Sequence, residues 1–194
     1  MTELRGMALD RWERDPKLLG IMLARYKFVG KMFEGMNKVL EVGCNDGFGS
    51  RVVSQHVQSL DAVDSDIQSI RAARTGYSDG FPISFRHGDI MEGGYLGYDA
   101  VYGLDVFEHI RDENTLLKNL RACAPVCIIG TPSIESQIYA TDGPEEHVNC
   151  KTGADLKASM QKHWKNVFLF GMNDEVVHTG FSKMSHYLLA LATD

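Results

Sequence analysis

The sequence predicts a mixed α/β fold in which a mostly parallel sheet carries helices on both faces. Three observations lead there. Short β-rich runs alternate with helical stretches between residues 38 and 130, a glycine-rich turn leaves the first of those runs, and the chain closes on two β-rich runs with no helix between them. With 194 residues, 44% of them hydrophobic, the chain can bury one sizeable core, so a single domain over 1–194 is expected.

Taken in order, the first dozen residues read as a loose terminus. Asp15 and Pro16 then form a cap and first-turn pair, and Leu18, Leu19, Met22, Leu23, Tyr26, Val29 and Phe33 follow at helical spacing, which predicts a covering helix over about 15–34. Strands are predicted at 38–42, 60–63, 83–86, 100–103 and 126–130, and helices at 49–56, 66–74 and 112–123. Residues 133–152 have little regular pattern and several polar groups, as a lid or binding loop would. Strands at 166–171 and 186–192, joined by the polar loop 173–180, should pair antiparallel at one edge. No internal repeat or low-complexity tract interrupts this order.

Composition excludes several functions. The 20 basic against 26 acidic side chains, a net charge of −6, argue against a protein that grips nucleic acid through its phosphates. No apolar run reaches bilayer length, and Glu3, Arg5 and Asp10 do not suit a signal peptide, so a cytoplasmic protein without a membrane partner is expected. Cys44, Cys123, Cys127 and Cys150 form no C-x-x-C pair and read as reduced, mostly buried thiols. Cys44 stands out because it lies within the glycine-rich turn.

That turn, Val-Leu-Glu-Val-Gly-Cys-Asn-Asp-Gly-Phe-Gly over 39–49, is a nucleotide cradle with a carboxylate, Glu41, two residues before its first glycine. In a parallel α/β sheet ligands bind beyond the carboxyl ends of the strands. The residues there are the turn itself, then Asp64, Ser65 and Asp66, then Gly88 and Asp89, then Leu104, Asp105, Glu108 and His109, and finally Thr131 and Pro132. A carboxylate accepts two hydrogen bonds from a ribose diol or one from an exocyclic amine, so such acids suit an adenosine laid across the sheet. Each acid could instead cap the next helix, and for Asp66 the cap is the favoured reading. A nicotinamide dinucleotide needs G-x-G-x-x-G, and that spacing fails: Asn45 follows Gly43, and Val52 falls where the last glycine is required. An oxidoreductase is thereby disfavoured.

With Glu41, Gly43, Gly47 and Gly49 in place and Asn45 where the family has glycine, the turn resembles the first motif of class I S-adenosylmethionine-dependent methyltransferases. Asn is the side-chain-bearing residue that best tolerates positive φ, so the turn can survive the exchange. Asp64, the run His-Gly-Asp89-Ile90, and Asp99 to Ile110, reading Asp-Ala-Val-Tyr-Gly-Leu-Asp-Val-Phe-Glu-His-Ile, extend the resemblance to the ubiquinone-biosynthesis and type 11 small-molecule methyltransferases, an uncharacterised bacterial-type subgroup among them. The resemblance implies a Rossmann-like, seven-stranded sheet with one antiparallel strand, and S-adenosyl-L-methionine as cofactor. It implies cofactor-binding roles for Glu41, Gly43, Asn45, Gly47, Asp64, Ser65, Asp89, Ile90, Leu104 and Asp105, with Arg25 and Tyr26 on the covering helix closing over the methionine end.

The implied activity is methyl transfer to a small polar acceptor, at oxygen, such as a sugar or nucleotide sugar. The same motifs would serve a catalytically silent cofactor-binding partner subunit. For a hydroxyl acceptor a base is required, and His147 in the lid is the first candidate. His109, four residues after Asp105 on an expected helical turn, is the second. Tyr139, Asn149 and His178 are the candidate acceptor contacts, and the loop 173–180 could equally mediate a homodimer or be a solvated turn. No histidine shows H-E-x-x-H or another metal spacing, so no metal is expected.

Overall fold

The computed structural model describes residues 5–76, 80–134, 147–180 and 182–194. They form two compact units, Met1–Asp89 and Ile90–Asp194. Among the described residues, no helix is long and apolar enough to cross a membrane.

The first unit runs α1 (Gly6–Arg14), α2 (Pro16–Met32), β1 (Lys38–Val42), α3 (Ser50–Ser54), β2 (Ser59–Asp64), α4 (Ile67–Gly76) and β3 (Ile83–His87). Its strands lie in the order β3-β2-β1, all parallel, with Leu40 opposite Asp61 and Ala62 opposite Phe85. Asp15 caps α2 as expected, its carboxylate accepting the Lys17 N–H at 3.0 Å, and Pro16 occupies the first turn. One face of α2 then buries Met22, Tyr26 and Val29. Cys44, Ala62, Ile70, Ala73 and Phe85 form a buried cluster that seats α4 on β2 and β3. Each such side chain, fully removed from water, contributes up to roughly 1.5–3 kcal/mol if large and apolar.

The expected loose terminus is a correction, because Gly6–Arg14 is a helix. Its support is nonlocal. The Met7 N–H donates to Asp46 Oδ2 at 2.8 Å, and Gly6, at φ 53°, has no room for a Cβ against that same carboxylate. A helix end satisfied from a distant turn leaves no capping signature in its own sequence.

The second unit runs β4 (Ala100–Leu104), α5 (Glu113–Cys123), β5 (Val126–Pro132), α6 (Gly153–Met160), β6 (Asn166–Asn173), β7 (Val176–His178) and β8 (Tyr187–Thr193). The order is β4-β5-β8-β6-β7, with β4 parallel to β5 and the remaining pairs antiparallel. The predicted antiparallel pairing of the last two β-rich runs is present, Leu169 facing Ala190. The loop between them holds one more strand, so the described residues contain eight strands rather than seven. Asn173 pairs with Val176 across a two-residue turn in which Asp174 takes φ 49°, a conformation that the sequence did not signal with glycine. Helix α6 was also missed. Its sign was Thr152 three residues before Asp155, a reciprocal cap in which the Asp155 N–H donates to Thr152 Oγ1 at 3.2 Å and the hydroxyl donates back at 2.7 Å.

The expected lid over 133–152 is described only at its ends. Ser133 and Lys151 form a parallel bridge, and the Ile134 N–H donates to the Lys151 carbonyl at 3.0 Å. Tyr139 lies outside the described residues.

Where the segment rejoins the unit, Glu113 accepts from Lys151 Nζ at 2.7 Å and from Ser159 Oγ at 2.8 Å. Burial pushes this carboxyl up, but the hydrogen bonds of Lys151 and Ser159 and the lysine charge outweigh it and hold the group below its ordinary value. A depressed carboxylate stabilises the fold above its unfolded pKa and loses that contribution as pH falls through the folded value. Lys151→Met should therefore cost about 1 kcal/mol at pH 7 and progressively less toward pH ~3. Urea unfolding at both pH values checks this, and an equal loss at the two would refute the assignment.

Candidate functional site

The site of the first unit grows from the end of β1. The Gly43 N–H, at φ 75°, donates to the Val63 carbonyl at 2.8 Å, and the Cys44 N–H shares that acceptor at 3.1 Å. The chain then reverses through Asn45 at φ 48° and Gly47 at φ 78°. Asn45 thus takes the left-handed conformation of the glycine it replaces, and its side-chain oxygen accepts the Asp46 N–H at 2.6 Å. The later glycines serve packing. A Cβ on Gly47 would lie 2.5 Å from the Phe85 ring, and one on Gly49 would lie 2.0 Å from the Tyr26 ring. Buried Tyr26 therefore rests on the backbone that opens α3, while Arg25 beside it is half-buried.

Asp64, half-buried at the end of β2, is the anchor of this region. Its Oδ2 accepts the Asn45 N–H at 2.8 Å and its Oδ1 accepts the Asp66 N–H at 2.8 Å. Two backbone donors fix the carboxylate, and each oxygen has a second lone pair to offer. The Asp64 carbonyl in turn accepts the Gly88 N–H at 3.0 Å, which draws half-buried Asp89 to the neighbouring strand end. Ser65 is exposed, its carbonyl 3.0 Å from His87 Nε2. Asp66 caps α4 as read from the sequence, and the Gln68 and Ser69 N–H groups, with the Ser69 hydroxyl, hold its carboxyl below the ordinary range.

Glu41 is only 1% exposed and accepts the Ser50 hydroxyl, tying β1 to the start of α3. The turn carries a second carboxylate that the sequence reading passed over. Asp46 accepts from Met7 and, at 3.2 Å, from Phe48, and so joins α1 to the turn. Cys44 is buried, and burial, with the charges of Glu41 and Asp64 behind it, pushes its thiol far above the ordinary value, which removes it as a nucleophile.

In the second unit, buried Ile90 opens a short 3-10 turn whose Ile90 and Met91 carbonyls accept from Asn119 Nδ2 at 2.8 and 3.1 Å. Leu104 is buried at the end of β4. Asp105 follows at φ 55°, exposed, with its N–H on the Gly130 carbonyl at 3.0 Å. The expectation that Asp105 and His109 share a helical face is corrected here, because the 3-10 turn spans only Phe107–His109 and Asp105 stands outside it in a left-handed conformation. Glu108, 1% exposed, accepts the Thr131 hydroxyl at 2.9 Å.

His109 and His147 meet in space, their rings edge-to-face with centroids 5.0 Å apart. The returning segment is pinned by Asn149, whose N–H donates to the Glu108 carbonyl at 2.9 Å and whose Nδ2 lies 3.4 Å from the Phe107 carbonyl. Asn149 thus positions backbone. His178 is similarly engaged: Nε2 is 2.9 Å from Asn173 Oδ1, and Nδ1 accepts the Gly180 N–H at 3.1 Å. Both ring nitrogens are used inside the β6–β7 hairpin, which leaves neither for an acceptor. His163, beside Trp164, is pushed below its ordinary value by burial and then by the Lys162 charge.

Residues 39–125 match a family model described as a methyltransferase domain. Uncharacterised methyltransferases of Mycobacterium bovis and Mycobacterium tuberculosis are 36% identical over 88 residues, 44% of this chain and 44% of theirs. The match therefore spans less than half the length of these curated relatives. Among solved structures, the methyltransferase domain of bacterial CtHen1-C superposes with TM-score 0.73 at 16% identity, covering 89% of this chain and 98% of that one. Magnesium protoporphyrin IX methyltransferase from Synechocystis, solved with bound S-adenosylhomocysteine, gives 0.64 at 16% identity, covering 97% and 95%. The fold is the Rossmann-like fold of class I methyltransferases, and the matched residues 39–125 contain the motifs that carry the resemblance.

Asn45 supplies a test of the turn. Asn45→Ala should lower stability by about 1–2 kcal/mol, since alanine has neither glycine's freedom at positive φ nor the local side-chain hydrogen bond, whereas Asn45→Gly should change it by less than about 1 kcal/mol. Denaturant midpoints of the two variants decide, and equal losses would contradict the conformational account.

Proposed function

We propose that the protein binds S-adenosylmethionine through its first unit and transfers the methyl group to a small polar acceptor, at oxygen. The observation that carries this reading is Asp64, held by the Asn45 and Asp66 amides at the mouth of the glycine turn. The residues present fit the cofactor. Asp64 has the acceptor capacity for a ribose diol, Asp89 suits an exocyclic adenine amine, and the turn from Gly43 to Asn45 brings bare backbone to the strand end. Within this unit Ser65 completes the strand-end set, with Glu41 and Gly47 supporting the turn and Arg25 and Tyr26 on the covering helix.

The bound cofactor supplies a methyl group already activated toward displacement. The chain then has to bind and orient the acceptor, exclude water and take up the hydroxyl proton. Imidazoles do this last step at neutral pH, and His147 and His109 are the pair we assign to it. The net charge of −6 supports a small-molecule acceptor over a nucleic acid. Sugars and nucleotide sugars are the first acceptors to try, with the cytoplasm as the compartment and a homodimer as the assembly that go with this reading.

Calorimetric titration with S-adenosylmethionine should show saturable binding that Asp64→Ala weakens tenfold or more, as loss of charge-assisted hydrogen bonds costs about 1.5–3 kcal/mol. No binding to the unaltered chain would sink the proposal. Release of S-adenosylhomocysteine, followed over nucleotide sugars, phenols and small acids, then tests transfer. His147→Ala should lower kcat by about a hundredfold or more. Undiminished turnover would remove the histidine from the reaction, and binding without product from any acceptor would favour the silent partner subunit.

A further inference from the structure

We propose that Glu108, His109 and His147 bind a divalent first-row transition-metal ion. Each offers one donor atom, and these atoms all lie within 4.8 Å of one another. Donors on one ion, with bonds of ~2.1 Å, sit roughly 3–4 Å apart, so closure asks only for small side-chain adjustments. Two imidazoles and one carboxylate are the donor set of zinc, manganese, cobalt and iron sites that keep coordination positions open. Magnesium and calcium prefer oxygen alone.

The surroundings support a site more than a chance meeting. Glu108 is a carboxylate only 1% exposed, set in the protein rather than on its surface. Its Oε2 accepts the Thr131 hydroxyl at 2.9 Å, which fixes the plane of the carboxylate as supporting hydrogen bonds do around metal ligands. The backbone is set as well. The 3-10 turn presents Glu108 and His109 together, and the Asn149 N–H on the Glu108 carbonyl brings the segment of His147 back to them. His109 is exposed and His147 half-exposed, so an ion has a route in from solvent. The edge-to-face imidazoles, with centroids 5.0 Å apart, can turn two nitrogens toward one point. Adjacent Glu and His with a distant His is a pattern that no short linear motif reveals.

The site uses the two histidines assigned above to proton uptake and so deepens that reading: with an ion bound they serve as its ligands, and the ion takes over the activation of the hydroxyl. An ion there would offer its open positions to the oxygens of an acceptor and make a bound hydroxyl more acidic, with the two histidines holding the ion.

The test is titration of chelator-treated full-length protein with Co2+ alone, followed by visible absorption, with metal content after dialysis against Mn2+ or Zn2+ as a second measure. We expect absorption bands saturating at one ion per chain, and at least tenfold weaker binding in both His109→Ala and His147→Ala but not in His178→Ala. Circular dichroism establishes that each variant is folded, and His147→Gln serves if the alanine variant is not. No saturable band, or binding unchanged in the His109 and His147 variants, would overturn the site. S-adenosylmethionine titrated into the same metal-free protein tests the cofactor reading separately, so either can fail while the other stands.

Discussion

The first unit depends on a carboxylate held from two sides. Asp64 receives one backbone amide from the glycine turn after β1 and one from the turn after β2, so a single side chain ties together the ends of two parallel strands. The backbone must pass through left-handed φ at Gly43, Asn45 and Gly47 to deliver the first amide. Positive φ is costly for ordinary residues, and the return is a fixed anion beside bare backbone. Neighbouring groups maintain the geometry: Glu41 braces the turn from within through Ser50, Tyr26 lies on Gly49, and Asp46 receives the end of α1. A substitution at any of these would move Asp64 or its donors.

The second unit is organised around another buried carboxylate, Glu108, in a different way. Its side chain meets Thr131 at the end of β5, and its carbonyl receives the Asn149 amide. A short turn after β4, the end of β5 and the start of the segment before α6 are thereby joined at one residue. The polar chemistry of the unit collects there, with His109 and His147 side by side. A carboxylate and two imidazoles whose donor atoms lie within 4.8 Å of one another are more informative than the histidines taken singly.

Much of this was legible in the chain. The places of Asp64, Asp89 and Asp105 just beyond their β-rich runs follow from the alternating pattern alone. The cap of α2 was also local, as Asp15 accepts from Lys17 two positions ahead. Features that arise from distant partners were not legible. Helix α1 is capped by Asp46, strand β7 exists because Asn173 and Val176 pair across an Asp174 turn, and the role of Asn149 lies in backbone contacts to residues 107 and 108.

By itself the sequence determined the α/β class, the cradle over 39–49, its failure as a dinucleotide fingerprint and the acids at the strand ends, because periodicity, glycine spacing and short-range capping are properties of neighbouring residues. Only the tertiary structure decided which partners those groups meet within the fold. It assigned Glu41 to bracing, Gly47 and Gly49 to packing and His178 to its own hairpin, and it brought His147 to His109 and Glu108. The physical reason is that a hydrogen bond or a coordination bond depends on positions within a few ångströms, and residues far apart in the chain reach such positions only once the fold has formed.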